Sequence, residues 1–216
     1  MHAGKRLSLR VLVLSGLDKR RFYGQSTRPY YLSRILAQEG CAILHICPYP
    51  PDDSLANESF MGINGRHIHA IFSVARILFR SAQFRPDIID AHQVTAWPTK
   101  AGRFLAFFMG KPLVVDVHGL ASHERLAVHV VTQEKIAQIE AHERRMLRAA
   151  NKIVVASNQL MEYIQSRFDI PDDRITIIPN GVDVMAFRPN VPKSFEQGIR
   201  RGYRIPETDK IVTFTC

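Results

Sequence analysis

Apolar residues along this chain come in short, nearly unbroken runs separated by longer stretches with a helical period. The runs lie at residues 11–14, 42–46, 86–92, 113–117, 153–156 and 174–178. Continuous apolar runs of this length mark strands buried on both faces. Between them, Leu32, Ile35 and Leu36 line a helix from about residue 29 that stops at Gly40. Ile71, Val74, Ala75 and Leu78 line another at about 67–83, and Pro98 opens a third that ends before Gly110. Residues 120–130 carry no clear period, after which Ile136, Ile139, Met146 and Leu147 line a helix to residue 149. Ser157 suits an N-cap, with Leu160, Tyr163 and Ile164 behind it. Glycine, proline and aspartate punctuate 16–28 and 48–65, which read as loops. Six strands and five helices in strict rotation predict an α/β fold, a doubly wound parallel sheet with right-handed crossovers.

The last run meets Pro179-Asn180-Gly181. Proline cannot donate to a ladder, so the strand stops there, and Asn-Gly tolerates a sharp turn. A polar turn at the carboxyl edge of a parallel sheet is where ligands bind in such folds. Further on, a basic amphipathic helix at about 194–203, Pro206 and the run 210–214 predict the start of another unit. The expected organisation is a domain over 1–189, then a linker helix and the first part of a truncated second domain over 190–216.

Composition narrows the classes. With 216 residues and 46% hydrophobic content the chain can bury a substantial core. The apolar run 11–14 is far too short for a secretory or spanning segment, so a cytoplasmic protein is expected. Cys41, Cys47 and Cys216 lack metal-ligand spacing and read as reduced thiols; no metal and no cofactor is expected. The net charge of +9 is uneven. Residues 1–40 carry eight Lys/Arg against Asp18 and Glu39, whereas residues 112–216 carry fourteen against thirteen acids. Such a basic face suits nucleic acid, anionic lipid or a phosphorylated small molecule. A nucleic-acid module would need a recognised motif or an aromatic platform, and neither is visible. A nicotinamide enzyme needs Gly-x-Gly-x-x-Gly after the first strand, where this chain has Ser15-Gly16-Leu17-Asp18-Lys19-Arg20.

Five segments in order carry a family resemblance. They are Tyr31-Leu32-Ser33-Arg34-Ile35-Leu36-Ala37-Gln38-Glu39-Gly40, Pro86-Asp87-Ile88-Ile89-Asp90-Ala91-His92, and Lys111-Pro112-Leu113-Val114-Val115-Asp116-Val117-His118-Gly119. Ala150-Asn151-Lys152-Ile153-Val154-Val155-Ala156-Ser157 follows, then Ile178-Pro179-Asn180-Gly181-Val182-Asp183 with Phe187 and Pro189. Together they resemble the N-terminal half of a family 4 (group 1) retaining glycosyltransferase of the GT-B fold. The resemblance implies two Rossmann-like domains facing across a cleft. The N-terminal domain binds mainly a sugar or lipid-linked acceptor, and the C-terminal one binds the nucleotide-sugar donor. The family's basic pair and two-glutamate donor motif have no counterpart here, so the chain alone is expected to be inactive. The glycine-pair loop also departs from the pattern, with Gly16 and Gly24 separated by Asp18, Lys19, Arg20 and Arg21.

On this reading His118, at a strand end before Gly119, is the catalytic candidate, contacting the transferred sugar or the reacting phosphate. His92 occupies the equivalent strand end one unit earlier and faces the acceptor or is structural. Gly24 would let a ligand approach the backbone and Arg28 would add a phosphate contact, or both belong to a basic loop. Asn180 and Gly181 would border the cleft. Asp87 and Asp116 sit in strands with no partner to assign. In the helix at 67–83, Phe72, Phe79 and Phe84 interleave with Arg76, Arg80 and Arg85, a pattern compatible with peripheral binding to an anionic membrane or with core aromatics and solvated arginines. Two alternatives keep the fold: a stand-alone, non-catalytic interaction subunit, and a sugar-nucleotide epimerase.

Overall fold

The computed structural model describes residues 9–20, 24–63, 71–94, 97–127, 132–182 and 192–210, without the side chains of 24–26, 71–72 and 126–127. Asp183, Phe187, Pro189 and Cys216 lie outside them, as do the start of the helix expected at 67–83 and all but the first residue of the strand expected at 210–214. The chain divides into two compact units, Met1–Pro179 and Asn180–Cys216.

The first unit is a seven-stranded, all-parallel sheet: β1 (Arg10–Leu14), β2 (Ala42–Cys47), β3 (Glu58–Gly62), β4 (Ile88–His92), β5 (Leu113–Val117), β6 (Lys152–Val155) and β7 (Ile175–Ile177). The order across it is β3-β2-β1-β4-β5-β6-β7. Chain order reverses between β1 and β4, which is the switch point at which the carboxyl ends of such a sheet open a crevice.

The sequence pattern gave six strands in strict rotation with helices; β3 is the seventh and breaks the rotation. It lies within 48–65, and no helix separates it from β2. Its segment, Glu58-Ser59-Phe60-Met61-Gly62, has no apolar run, and Met61 is its one buried apolar side chain. The ladder to β2, from Ile43↔Glu58 to Cys47↔Gly62, supplies what propensity does not.

The helices of this unit are α1 (Gly24–Gln38), α2 (Ile71–Phe84), α3 (Trp97–Met109), α4 (Ala121–Ala127), α5 (Gln133–Ala149) and α6 (Asn158–Phe168). Two of them change the sequence reading. The segment 24–28, read as loop, is the start of α1, with Pro29 tolerated inside it, and α4 fills part of the aperiodic stretch 120–130. Ser157 caps α6 as expected, its Oγ accepting from Leu160 N at 3.3 Å.

Side-chain alternation along the strands separates two faces. Leu12, Leu44, Ile89, Leu113, Val115 and Ile153 are in register on one face, in the same core cluster as Ile77 of α2, Leu105 of α3, Met146 of α5 and Phe168 of α6. There α3 comes close because Gly102 has no side chain: a Cβ would stand 3.0 Å from Ala91 Cβ and 3.1 Å from Leu113 Cδ1. On the other face Val11, Val13 and Ile43 pack with Ala37 of α1. Along that same face the strands carry His45, Asp90, His92 and Asp116, so the polar groups of the sheet lie on the α1 side.

In the second unit α7 (Lys193–Tyr203) is amphipathic, with Phe195, Ile199 and Tyr203 exposed. Arg200 fastens its end, pairing with Glu196 at 3.0 Å and donating to Pro206 O and Asp209 O. No helix among the described residues is long and apolar enough to cross a membrane.

Candidate functional site

Pairing places His92 of β4 beside Asp116 of β5, and two residues later the chain leaves the sheet at His118. At this carboxyl edge four ionisable side chains from β4, β5 and the segment after it converge with Arg28 of α1. Arg28 Nε lies 3.0 and 3.1 Å from the two oxygens of Asp116, both side chains being almost completely buried. His118 Nε2 lies 3.1 Å from His92 Nδ1 and 3.5 Å from Asp116 Oδ1. On its other side, His92 Nε2 is 3.2 Å from Asp90 Oδ2, an ion-pair contact not aligned as a hydrogen bond. The side chain of His92 is 1% exposed, whereas that of His118 is 9% exposed and reaches solvent.

Charge balance follows from these contacts. Burial opposes a cation on His92, but the carboxylates of Asp90 and then Asp116 outweigh it and raise its pKa. Burial pushes His118 down to about 3, with His92 and Arg28 adding to the effect. Burial also raises Asp116, against the opposing pull of His92 and Arg28. The contacts therefore favour positive charge on His92, between Asp90 and Asp116, and a neutral His118.

Among the described residues, His92, Asp116 and His118 have ligand atoms within 4.8 Å of one another, as a metal site would require. Their chemistry argues against one. Arg28 already neutralises Asp116, and a divalent ion beside that guanidinium would meet like charge. The two imidazoles are meanwhile joined to each other. The group fits a hydrogen-bond network better than a metal centre.

A second buried network holds the chain after β1. Leu17 N donates to Ser15 Oγ at 3.1 Å, and Ser15 Oγ lies 2.7 Å from His45 Nε2. His45 Nδ1 is 3.3 Å from Ser33 Oγ, which reaches Tyr30 O at 2.9 Å and Glu58 Oε1 at 3.0 Å. The single Ser33 proton is directed to those oxygens rather than to the ring, so His45 donates from Nδ1 and accepts from Ser15 at Nε2. That arrangement needs a neutral ring, and burial holds its pKa at about 3, with His92 contributing. Beyond β5, Glu143 of α5 accepts from Ser122 N at 3.2 Å and from its hydroxyl, tying α4 down just after His118-Gly119.

The expected residues thus fall into three groups. His118, His92 and Arg28 come together. The loop reading of Arg28 is corrected: it is helical, buried and paired with Asp116, the carboxylate for which sequence gave no partner. Asp87 likewise has one, accepting from Arg10 N at 2.9 Å. Gly24 opens α1 and Gly119 follows His118, where a Cβ would collide with the Glu124 carboxylate. Asn180 and Gly181 belong to the second unit and are exposed. Sequence reasoning missed Ser15, Ser33, His45, Glu58 and Glu143, and the role of Asp90. It also missed Gln93, which follows His92 with φ of +74°, a conformation non-glycine residues rarely adopt and one that clusters at functional sites.

A parallel sheet ordered 3-2-1-4-5-6-7, with a polar cluster at the carboxyl ends beside the switch point, defines a Rossmann-like domain of the GT-B type. The chain belongs to Glycosyltransferase Family 4, whose family model matches residues 22–185. A D-inositol 3-phosphate glycosyltransferase of Pseudarthrobacter chlorophenolicus is 26% identical over 140 residues, 64% of this chain and 32% of that protein. Among solved structures, sucrose-phosphate synthase from Thermosynechococcus elongatus superposes with a TM-score of 0.65 at 13% identity, covering 92% of this chain and 53% of that one. A UDP-GlcNAc 2-epimerase from Methanocaldococcus jannaschii gives 0.50 at 12% identity over 80% and 46%. Solved structures of this fold thus include a synthase and an epimerase, and it is the family match that assigns the chain to Glycosyltransferase Family 4. The matched region spans about a third of the curated relative and about half of each solved neighbour.

Proposed function

We propose that this chain is the acceptor-side domain of a retaining glycosyltransferase, and that a second domain supplies the site for a nucleotide-sugar donor. The observation that carries the reading is His118: a neutral, largely buried imidazole at the carboxyl edge, oriented from behind by His92 and Asp116. Such a group provides position and hydrogen bonding rather than a nucleophile, which suits a transfer in which the leaving phosphate assists the acceptor. On this reading His92, being buried, acts through His118, and Arg28 acts by holding Asp116. Asn180 and Gly181 then form the turn towards the donor domain, with the boundary near residue 189. One wall of a cleft cannot assemble the stabilisation that transfer requires, so the 216-residue chain alone should show no turnover. Replacing His118 by alanine in the polypeptide that carries both domains tests the assignment.

A lipid-linked acceptor at an anionic membrane fits a second feature. Helices α2 and α3 contain no acidic residue and carry Arg76, Arg80, Lys100 and Arg103. Phe79, Phe104, Phe107 and Phe108 are exposed on them, beside a groove of about 270 Å³ lined by Val74, Leu78 and Trp97. Exposed aromatics among cations are the composition of an interfacial surface. Co-flotation with phosphatidylglycerol vesicles, lost in Phe107→Ser/Phe108→Ser, is the expected result; equal flotation with neutral phosphatidylcholine vesicles, or flotation unchanged in that variant, contradicts it.

A further inference from the structure

Which hydrogen-bonding face His118 presents depends on one proton of His92, the ring directly beneath it. Asp90 Oδ2 lies 3.2 Å from His92 Nε2. A carboxyl oxygen this close favours a proton on Nε2 electrostatically in either charge state of His92, although the contact is not aligned as a hydrogen bond. The contact from His92 Nδ1 to His118 Nε2, at 3.1 Å, then needs one proton between its two nitrogens. With His92 neutral, Nδ1 is a lone pair, His118 donates from Nε2, and His118 Nδ1 is left an acceptor. With His92 a cation, Nδ1–H donates, His118 Nε2 accepts, and the neutral His118 ring carries its proton on Nδ1. That nitrogen takes no part in the chain Asp90–His92–His118.

We propose that Asp90 and His92 are positioning residues for His118: His92, held as a cation beneath it, fixes His118 as the Nδ1–H tautomer, so that His118 meets a ligand oxygen as a hydrogen-bond donor. This rests on reading His118 as a cleft residue and adds what that residue does there. The charged and titratable groups facing His92 come from four elements. Asp90 is on its own strand; Asp116, 4.0 Å from Nδ1, is on β5, with His118 just beyond it. Arg28 approaches from α1 and His45 from β2, each coupled to His92 electrostatically. Arg28 engages Asp116 directly, which leaves Asp90 to balance a second cation, and His92 is the ring beside it. The competing arrangement, His118 donating from Nε2 to Asp116, spans 3.5 Å and meets a carboxylate already held by Arg28. A donor at this place suits a phosphate oxygen of the leaving group, which gains negative charge, or a hydroxyl oxygen of the sugar, which it would orient.

The test reads the tautomer directly and needs no catalysis. In the 216-residue chain labelled with ¹⁵N-histidine, two-bond ¹H–¹⁵N spectra at pH 7 should show His92 protonated at both nitrogens and His118 protonated on Nδ1. Raising the pH through the His92 midpoint, which lies above the ordinary 6.5, should move the His118 proton to Nε2. The isosteric Asp90→Asn should lower that midpoint by about 1–3 pH units, the shift an adjacent opposite charge produces, and carry the tautomer change with it. His118 protonated on Nε2 at pH 7, or an Asp90→Asn variant with both midpoint and tautomer unchanged, overturns the proposal. If the tautomer behaves as stated while His118→Ala leaves transfer intact, the functional reading fails and the positioning role stands.

Discussion

Substituting Asp116 by asparagine keeps the shape of the side chain and removes the anion that faces Arg28 and both histidines. The side chains of Arg28 and Asp116 are 7% and 3% exposed, so no water replaces the lost charge. Removing one partner of a buried ion pair costs about 3–5 kcal/mol, because the other charge is stranded. Both carboxylate oxygens lie within 3.1 Å of Arg28 Nε, which places this pair at the costly end. Arg28→Met should cost a similar amount from the other side, and Arg28→Met/Asp116→Leu should recover much of it, since an apolar pair leaves no stranded charge. Urea denaturation followed by far-UV circular dichroism gives all three values, provided the m-value is unchanged. Single variants within about 1 kcal/mol of the wild type, the range for exposed pairs, would refute burial of the pair. Strict additivity in the double variant would refute their coupling.

Other outcomes follow from the same structure. His45 and His118 have folded pKa values of about 3 against an ordinary 6.5, so the unfolded chain binds more protons between those limits. Stability should fall as pH drops below 6.5, by about 1.4 kcal/mol per pH unit for each ring, and a flat urea midpoint across that window contradicts both assignments. His92 has the opposite sign: its contribution is complete below 6.5 and is lost as pH rises through its raised pKa. Gly102→Val should destabilise by about 1–3 kcal/mol by driving α3 off Ala91 and Leu113; a neutral thermal shift would show that α3 packs less closely. Burial pushes the Cys47 thiol up to about 12, so iodoacetamide should modify Cys41 but not Cys47 until the protein unfolds, as peptide mapping would reveal.

Much of the fold was legible because the central strands advertise themselves. Val11-Leu12-Val13-Leu14 is buried on both faces and so lacks alternation, and in Leu113-Val114-Val115 the two outer side chains are buried and Val114 is half-buried. β3 was not legible, since an edge strand with one buried apolar side chain gets its conformation from its neighbour rather than its own residues. The histidines of the site were readable from position alone, as polar residues ending apolar strands. Their partners were not: Arg28 and Asp116 are 88 residues apart and meet only because α1, packed on β1 and β2, carries Arg28 near its start to Asp116 of β5. His45 was harder still. Flanked by Leu44 and Ile46 within a strand, it looked like part of an apolar run, and only the register beside α1 reveals the hydroxyls that satisfy it.

The role proposed for His118 is donation of a stabilising hydrogen bond in a sugar-transfer cleft. The direct measurement is turnover of a panel of UDP- and GDP-sugars by the polypeptide carrying both proposed domains, wild type against His118→Ala, with circular dichroism confirming that the variant is folded. Loss of a positioned hydrogen-bond donor to a developing charge costs roughly 2.7–4 kcal/mol, so kcat should fall about a hundredfold to a thousandfold. A folded variant with near-full turnover, or a wild-type protein that turns over no nucleotide sugar, would contradict it.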